Sequence, residues 1–174
     1  MLSKSIEEAL NRQLNWELYS SYVYYSMAAY FDSIDLAGAS QWMKSQTQEE
    51  VLHATKFYDY IVERGGRVVM DSIPAPKTEW ASPIEAFEDA LHHEEDVTRR
   101  INDIMNLAVS ERDHATQIFL QWFISEQVEE EASVNAVVQK LKLAGGSPGG
   151  LFMIDRELAA RPLVFQPPAA SQAD

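Results

Sequence analysis

The stretch QEEVLHATKF, residues 48–57, decides how the rest of the chain is read. It holds neither Gly nor Pro and fits a helix. At helical spacing Glu50 and His53 fall on the same side as Met43 and Phe57, the side that should face a core. A carboxylate and an imidazole therefore stand where a bundle wants Leu. Burying an unpaired charge costs several kcal/mol, so the residues that surround this stretch in space have to account for it.

Working outward, the spacing predicts helices at about 4–33, 36–65, 83–111 and 113–144, and a shorter one at about 150–161. Only Gly38 interrupts the four long ones. Ser82-Pro83-Ile84-Glu85 has the form of a helix start, with Ser as N-cap, Pro at the first position and Glu closing a capping box. Gly65-Gly66 and Gly145-Gly146 are stops. Between the second and third helices lies the one long connection, 66–81, which carries Pro74 and Pro76. A 29-residue helix is about 43 Å long, and a 16-residue extended chain reaches about 50 Å. The connection can therefore run the length of a bundle, while the shorter links force antiparallel neighbours. The reading is an all-α fold: a four-helix bundle with one long crossover and a short fifth helix over 1–161, followed by a loosely held Pro/Ala-rich tail, 162–174.

Each long helix carries one apolar stripe, and each stripe is interrupted near its middle. The first runs Leu10, Leu14, Glu17, Ser21, Tyr24, Ala28; the second Met43, Gln46, Glu50, His53, Phe57. The third runs Phe87, Leu91, Glu94, Thr98, Ile101; the fourth Leu120, Phe123, Gln127, Glu130, Val134. The helix midpoints fall near residues 18, 50, 97 and 128, and in an antiparallel bundle midpoints share one layer. Four carboxylates thus converge in the core, with no Lys or Arg on these seams at that depth. Two divalent metal ions would balance Glu17, Glu50, Glu94 and Glu130. Oxygen-rich ligands with a single imidazole suit iron or manganese better than structural zinc. A lone buried Glu, or a lone Glu-x-x-His, is more often a hydrogen-bonded core residue; four coincident interruptions are not explained that way.

Composition narrows the partners. The net charge is −13 with 46% hydrophobic residues, which disfavours phosphate-directed nucleic-acid binding. There is no Cys, so disulfides, Fe–S clusters and thiolate zinc sites are excluded. No apolar run approaches the roughly 18 residues of a membrane span. The start MLSKSIEEAL lacks the apolar region of a secretory signal, and a cytoplasmic location is expected; an organelle-targeting peptide already removed would leave no trace.

The residues Asn15-Trp16-Glu17-Leu18-Tyr19-Ser20-Ser21, Gln48-Glu49-Glu50 with His53, His93-Glu94, and Ser125-Glu126-Gln127 with Glu129-Glu130 resemble those of ferritins, over about residues 5–160. The resemblance implies a homo-oligomeric cage of twenty-four subunits that takes up Fe²⁺, oxidises it with O₂ or H₂O₂ at an intrasubunit di-iron ferroxidase centre, and stores ferric mineral. It implies one iron on Glu17, Glu50 and His53 and another on Glu50, Glu94 and Glu130, with Gln127 nearby, Glu50 bridging and Tyr24 beside the centre. It also implies a third iron site made from Glu49, Glu126 and Glu129, which are turned from the seam by about 100°. No haem is expected, because the position after Glu50, where bacterioferritins carry a Met ligand, is Val51.

Some positions depart from animal ferritins. Glu130 stands where their heavy chains have Ala, which makes the site prokaryotic in type. Gln117 and Leu120 stand where their three-fold channel has acids, and Glu111, Asp113 and His114 read as a solvated turn. His92 and His93 read as exposed helix residues, and Trp122 as a candidate electron donor near the fourth-helix ligands. Three other readings compete. A di-iron peroxidase or oxidase of the same superfamily usually shows two Glu-x-x-His pairs, and only Glu50-x-x-His53 occurs here. An acidic helical scaffold would place apolar or Lys-paired residues at the midpoints. DNA-coating mini-ferritins build their site between subunits.

Overall fold

A computed structural model describes residues 2–165. Its helices are α1 (Lys4–Ser33), α2 (Ala37–Glu63), α3 (Pro83–Ser110), α4 (His114–Ala144) and α5 (Pro148–Leu158). No strand occurs among the described residues, and no helix there is long and apolar enough to cross a membrane. The four long helices begin and end within two residues of the positions expected from sequence.

Local chemistry explains the ends. Ser3, Ser82, Asp113 and Ser147 each cap a helix, accepting from the backbone N–H of Ile6, Glu85, Thr116 and Gly150. Glu85 reaches back one residue further than a capping box requires, to the Ala81 N–H at 2.7 Å. Gly145 ends α4 in the left-handed conformation, φ 56°, which costs Gly least. The α3–α4 turn is structural, as its sequence suggested. Asp113 pairs with Arg64 at 3.0 Å and accepts from Thr116, and His114 is exposed.

α1 pairs with α2 and α3 with α4. The crossover follows α1 in the direction of α1 itself, held by side chains one helical turn apart. Asn11 donates to the Arg67 carbonyl and accepts from the Val69 N–H; Asn15 does the same for Val69 and Asp71, all at 2.7–3.0 Å. Ser26 then holds the Lys77 carbonyl, and Trp80 packs on Tyr30 with ring centroids 5.1 Å apart. The chain thus arrives at the far end of α1 to start α3, so α2 and α3 run parallel, as one long crossover demands.

The core is not continuous along the bundle. One apolar cluster gathers Tyr24, Phe31, Met43, Phe87 and Val134; a second gathers Leu14, Phe57, Val97, Leu120 and Phe123. The polar layer lies between them. In α1 the buried seam passes through Ser20 rather than Ser21, which is half-buried, because a straight helix rotates away from a fixed 3–4 pattern over six turns.

α5 packs on α2 and α4. The N-cap of α2, Leu36, has no side chain able to accept a hydrogen bond, and Asp155 of α5 supplies the missing acceptor to the Ala39 N–H at 2.8 Å. This approach explains Gly38: a Cβ there would lie 1.8 Å from the Asp155 carbonyl oxygen. The tail departs from expectation. Its start is tied down, with the Pro162 carbonyl bonded to Ser45 and the Phe165 backbone to Gln48. Residues 166–174 of that expected tail lie outside the described residues.

Helix propensity alone would make Gly38→Ala stabilising by roughly 0.5–1 kcal/mol. The contact with Asp155 reverses the sign: the substitution is expected to dislodge α5 and destabilise the protein by about 1–3 kcal/mol, read from denaturant midpoints. A midpoint at or above wild type would contradict the α5 docking.

Candidate metal centre

Each long helix delivers its interruption to the same layer. Glu17 comes from α1, Glu50 and His53 from α2, Glu94 from α3, and Gln127 and Glu130 from α4; all are buried. Burial pushes all four carboxyl groups up. For Glu17 the neighbouring Glu50 adds to this, and for Glu50 the neighbouring Glu94. Glu94 is raised by burial against the opposing hydrogen bonds of Tyr24 and Gln127. Glu130 is pushed up to about 7, by burial first and then by Glu94 and Glu49. These are carboxyls crowded together in one buried layer.

The oxygens divide into two kinds. Some are positioned by donors: Gln13 holds Glu17 Oε1 at 2.9 Å, Gln46 holds Glu130 Oε2 at 2.8 Å, Gln127 holds Glu94 Oε2 at 3.1 Å, and the Tyr24 hydroxyl donates to Glu94 Oε1. Others have no partner: Glu17 Oε2 and Glu50 Oε2 are buried and unsatisfied among the described residues. His53 Nδ1 lies 3.5 Å from that same Glu50 oxygen, without the alignment of a hydrogen bond. Ligand atoms of Glu17, Glu50 and His53 lie within 4.8 Å of one another. Orphaned carboxyl oxygens beside a buried imidazole are what an oxygen-preferring divalent cation requires, so these residues fit the metal ions that the seam argument asks for.

The second grouping differs from the expected one. Ligand atoms of His53, Glu126 and Glu130 come together. Glu94, expected with Glu50 and Glu130, is instead turned toward Tyr24 and Gln127. Tyr24 is buried, and its hydroxyl is pushed up by burial and by Glu94, which keeps it a proton donor to that carboxylate. Of the acids proposed for a third position, Glu126 is half-buried, Glu129 is exposed, and Glu49 is paired with Arg161 at 2.8 Å. Among the described residues the three do not form one grouping.

Sequence reasoning left three contributors without the roles they play here. Gln13 sits one turn before Glu17 and Gln46 one turn before Glu50; an amide on a seam next to a carboxylate was the available signal. His93 is half-buried rather than exposed: it bonds Ser20 at 2.7 Å, stacks on Trp16 at 5.6 Å, and has its pKa lowered to about 4 by burial. Trp122 lies edge-on to His53 at 5.5 Å, with Lys56 over its ring at 4.1 Å.

Comparison with known proteins agrees with this geometry. The Ferritin-like domain profile matches residues 7–144. Over 161 residues, 92% of this chain, the sequence is 42% identical to the bacterial non-heme ferritin of Bacteroides fragilis (strain 638R), covering all of that protein. It is 44% identical to the bacterial non-heme ferritin of Staphylococcus haemolyticus (strain JCSC1435), covering 97% of it. The structure superposes on a novel open pore ferritin from the hyperthermophilic archaeon Archaeoglobus fulgidus with a TM-score of 0.92 and 50% identity, over 93% of this chain and 100% of that one. The fold is a ferritin-like four-helix bundle with a short fifth helix. The chain belongs to the ferritin family, and its relatives include non-heme ferritins of bacteria.

Because Glu130 holds its proton up to about pH 7 when folded but only to its ordinary 4.5 when unfolded, it stabilises the metal-free protein fully below pH 4.5. That contribution is lost as pH rises through about 7. Its size is on the order of 3 kcal/mol. Denaturant unfolding of chelator-treated protein between pH 5 and 7.5 should show a decline that Glu130→Gln flattens; an identical slope in the variant would contradict the assignment.

Proposed function

We propose that this protein stores iron, oxidising Fe²⁺ at a di-iron centre within each subunit and holding the ferric product inside a cage built from copies of the chain. The observation that carries the reading is the layer of four buried carboxylates, one from each long helix, with oxygens of Glu17 and Glu50 left unsatisfied beside His53. Family membership supports it, as do relatives named non-heme ferritins.

In this reading Fe²⁺ is the substrate. Glu17, Glu50 and His53 hold one ion; Glu50, Glu94 and Glu130 hold the other, with Glu94 exchanging its hydrogen bonds to Tyr24 and Gln127 for the metal. Glu50 bridges, so the two ions lie close enough for each to give one electron to the same O₂ molecule or to H₂O₂. Anionic oxygen ligands favour Fe³⁺ over Fe²⁺ and so drive the oxidation. Few protein ligands per ion leave positions open for the oxidant and for departure of the product. Gln46 orients Glu130 and Gln13 orients Glu17, each through a hydrogen bond to one carboxyl oxygen, while Gln127 and Tyr24 hold both oxygens of Glu94. Carboxyl protons are released as the ions bind. The third position, with Glu49, Glu126 and Glu129, lies beside the pair and takes iron leaving it. The half-buried and exposed aromatics Tyr19, Tyr22 and Tyr25 of α1 belong to a contact between subunits.

Replacing Glu50 by Ala should abolish the rapid phase of Fe²⁺ oxidation, followed by absorbance in stopped flow, while the helical content persists. Metal-free stability should hold or rise, because one crowded carboxylate is gone. Wild-type initial rates in the variant would refute the bridging role.

Assembly is read independently of the chemistry. Twenty-four copies of a 19.7 kDa chain give a particle of about 470 kDa. Light scattering under native conditions should show that size, and a monomer or dimer would overturn the cage while leaving the di-iron centre standing.

A further inference from the structure

The segment after α5 does not trail away. Gln41 donates to the Arg161 carbonyl at 3.4 Å, Ser45 to the Pro162 carbonyl at 2.9 Å, and Gln48 exchanges bonds of 3.2 and 2.7 Å with the Phe165 backbone. Residues 161–165 therefore lie as a strap along α2, over the turns that precede Glu49 and Glu50. The strap delivers one side chain to the centre. Arg161 Nη2 meets Glu49 Oε2 at 2.8 Å, its Nη1 reaches Ser133 of α4 at 3.4 Å, and its guanidinium carbon stands 4.5 Å from the centroid of the Trp42 ring. Both partners of the ion pair are three-quarters buried, with side chains 21% and 24% exposed. The charges of Glu49 and Arg161 are both felt at Glu130.

We propose that Arg161 is a positioning residue that acts as a built-in counter-cation, occupying Glu49 until a third metal ion displaces it. The proposal rests on the di-iron reading above and deepens it: the strap sets how strongly the position beside the pair binds. Two of the three contacts of Arg161, Trp42 and Ser133, do not involve Glu49. The guanidinium can therefore release the carboxylate without losing its seat. A divalent or trivalent ion competes for Glu49 against a single positive charge that remains nearby. Third-site binding is weakened on both counts, and iron does not lodge there until the first two positions are filled. A metal ion held too tightly beside the pair would block its turnover, which the competing guanidinium prevents.

The test is calorimetric titration of anaerobic Fe²⁺ into metal-free assembled protein, comparing wild type with Arg161→Gln and Arg161→Lys. In Arg161→Gln the binding event beyond the first two ions should tighten about tenfold, and by more than either of the first two. Arg161→Lys, which keeps the charge but not the planar fork seated on Trp42 and Ser133, should tighten that event by less than Arg161→Gln. In a Glu49→Gln background the Arg161→Gln effect should vanish. An unmoved or weakened third event in Arg161→Gln, or equal tightening with Glu49 already replaced, would overturn the proposal while leaving the di-iron reading intact. Absence of the first two events in wild type would overturn the di-iron reading and this inference together.

Discussion

Four carboxylates buried in one layer of a bundle, none of them in direct ion pair with a Lys or Arg among the described residues, are the constraint to which the surrounding structure answers. Left charged, they would repel one another across a medium that screens poorly. The chain meets this through burial, which raises the proton affinity of the carboxyl groups, and through amide and phenol donors aimed at Glu17, Glu94 and Glu130. The remaining oxygens of Glu17 and Glu50 stay unsatisfied. That is a stability cost carried at the point where function is placed, and the two apolar clusters on either side of the layer offset it.

The same constraint fixes the scaffold. For the carboxylates to share a layer, the four helices must be of similar length and in fixed register. Asn11 and Asn15 secure this by giving the crossover backbone a ladder of hydrogen bonds along α1. α5 contributes at the other end. Asp155 completes the N-terminus of α2, the helix that carries Glu50 and His53, and the segment that follows brings Arg161 to Glu49.

Helix number, lengths and the central layer were legible in the sequence because they follow from periodicity: one interruption per stripe, each near a helix midpoint. Glu17, Glu50, His53, Glu94, Gln127 and Glu130 all came out buried for that reason. Side-chain direction within the layer was not legible. Nothing in the spacing of Glu94 tells that it faces Tyr24 and Gln127, or that Glu126 comes near His53. His93 was misread because period alone places it beside the seam, while its burial comes from stacking on Trp16. The strap was invisible for a related reason: a Pro-containing segment without helical period reads as loose, and its ties to Gln41, Ser45 and Gln48 depend on where α5 deposits it.

The measurement that bears most directly on the central claim is location of the metal itself. Crystals soaked anaerobically in Fe²⁺, with data collected at the iron edge, should show two anomalous peaks per chain inside the bundle. One should lie between Glu17, Glu50 and His53, the other between Glu50, Glu94 and Glu130, with the Glu94 side chain turned from Tyr24 toward the metal. Iron confined to surface acids, with no peak among these carboxylates, would contradict the account.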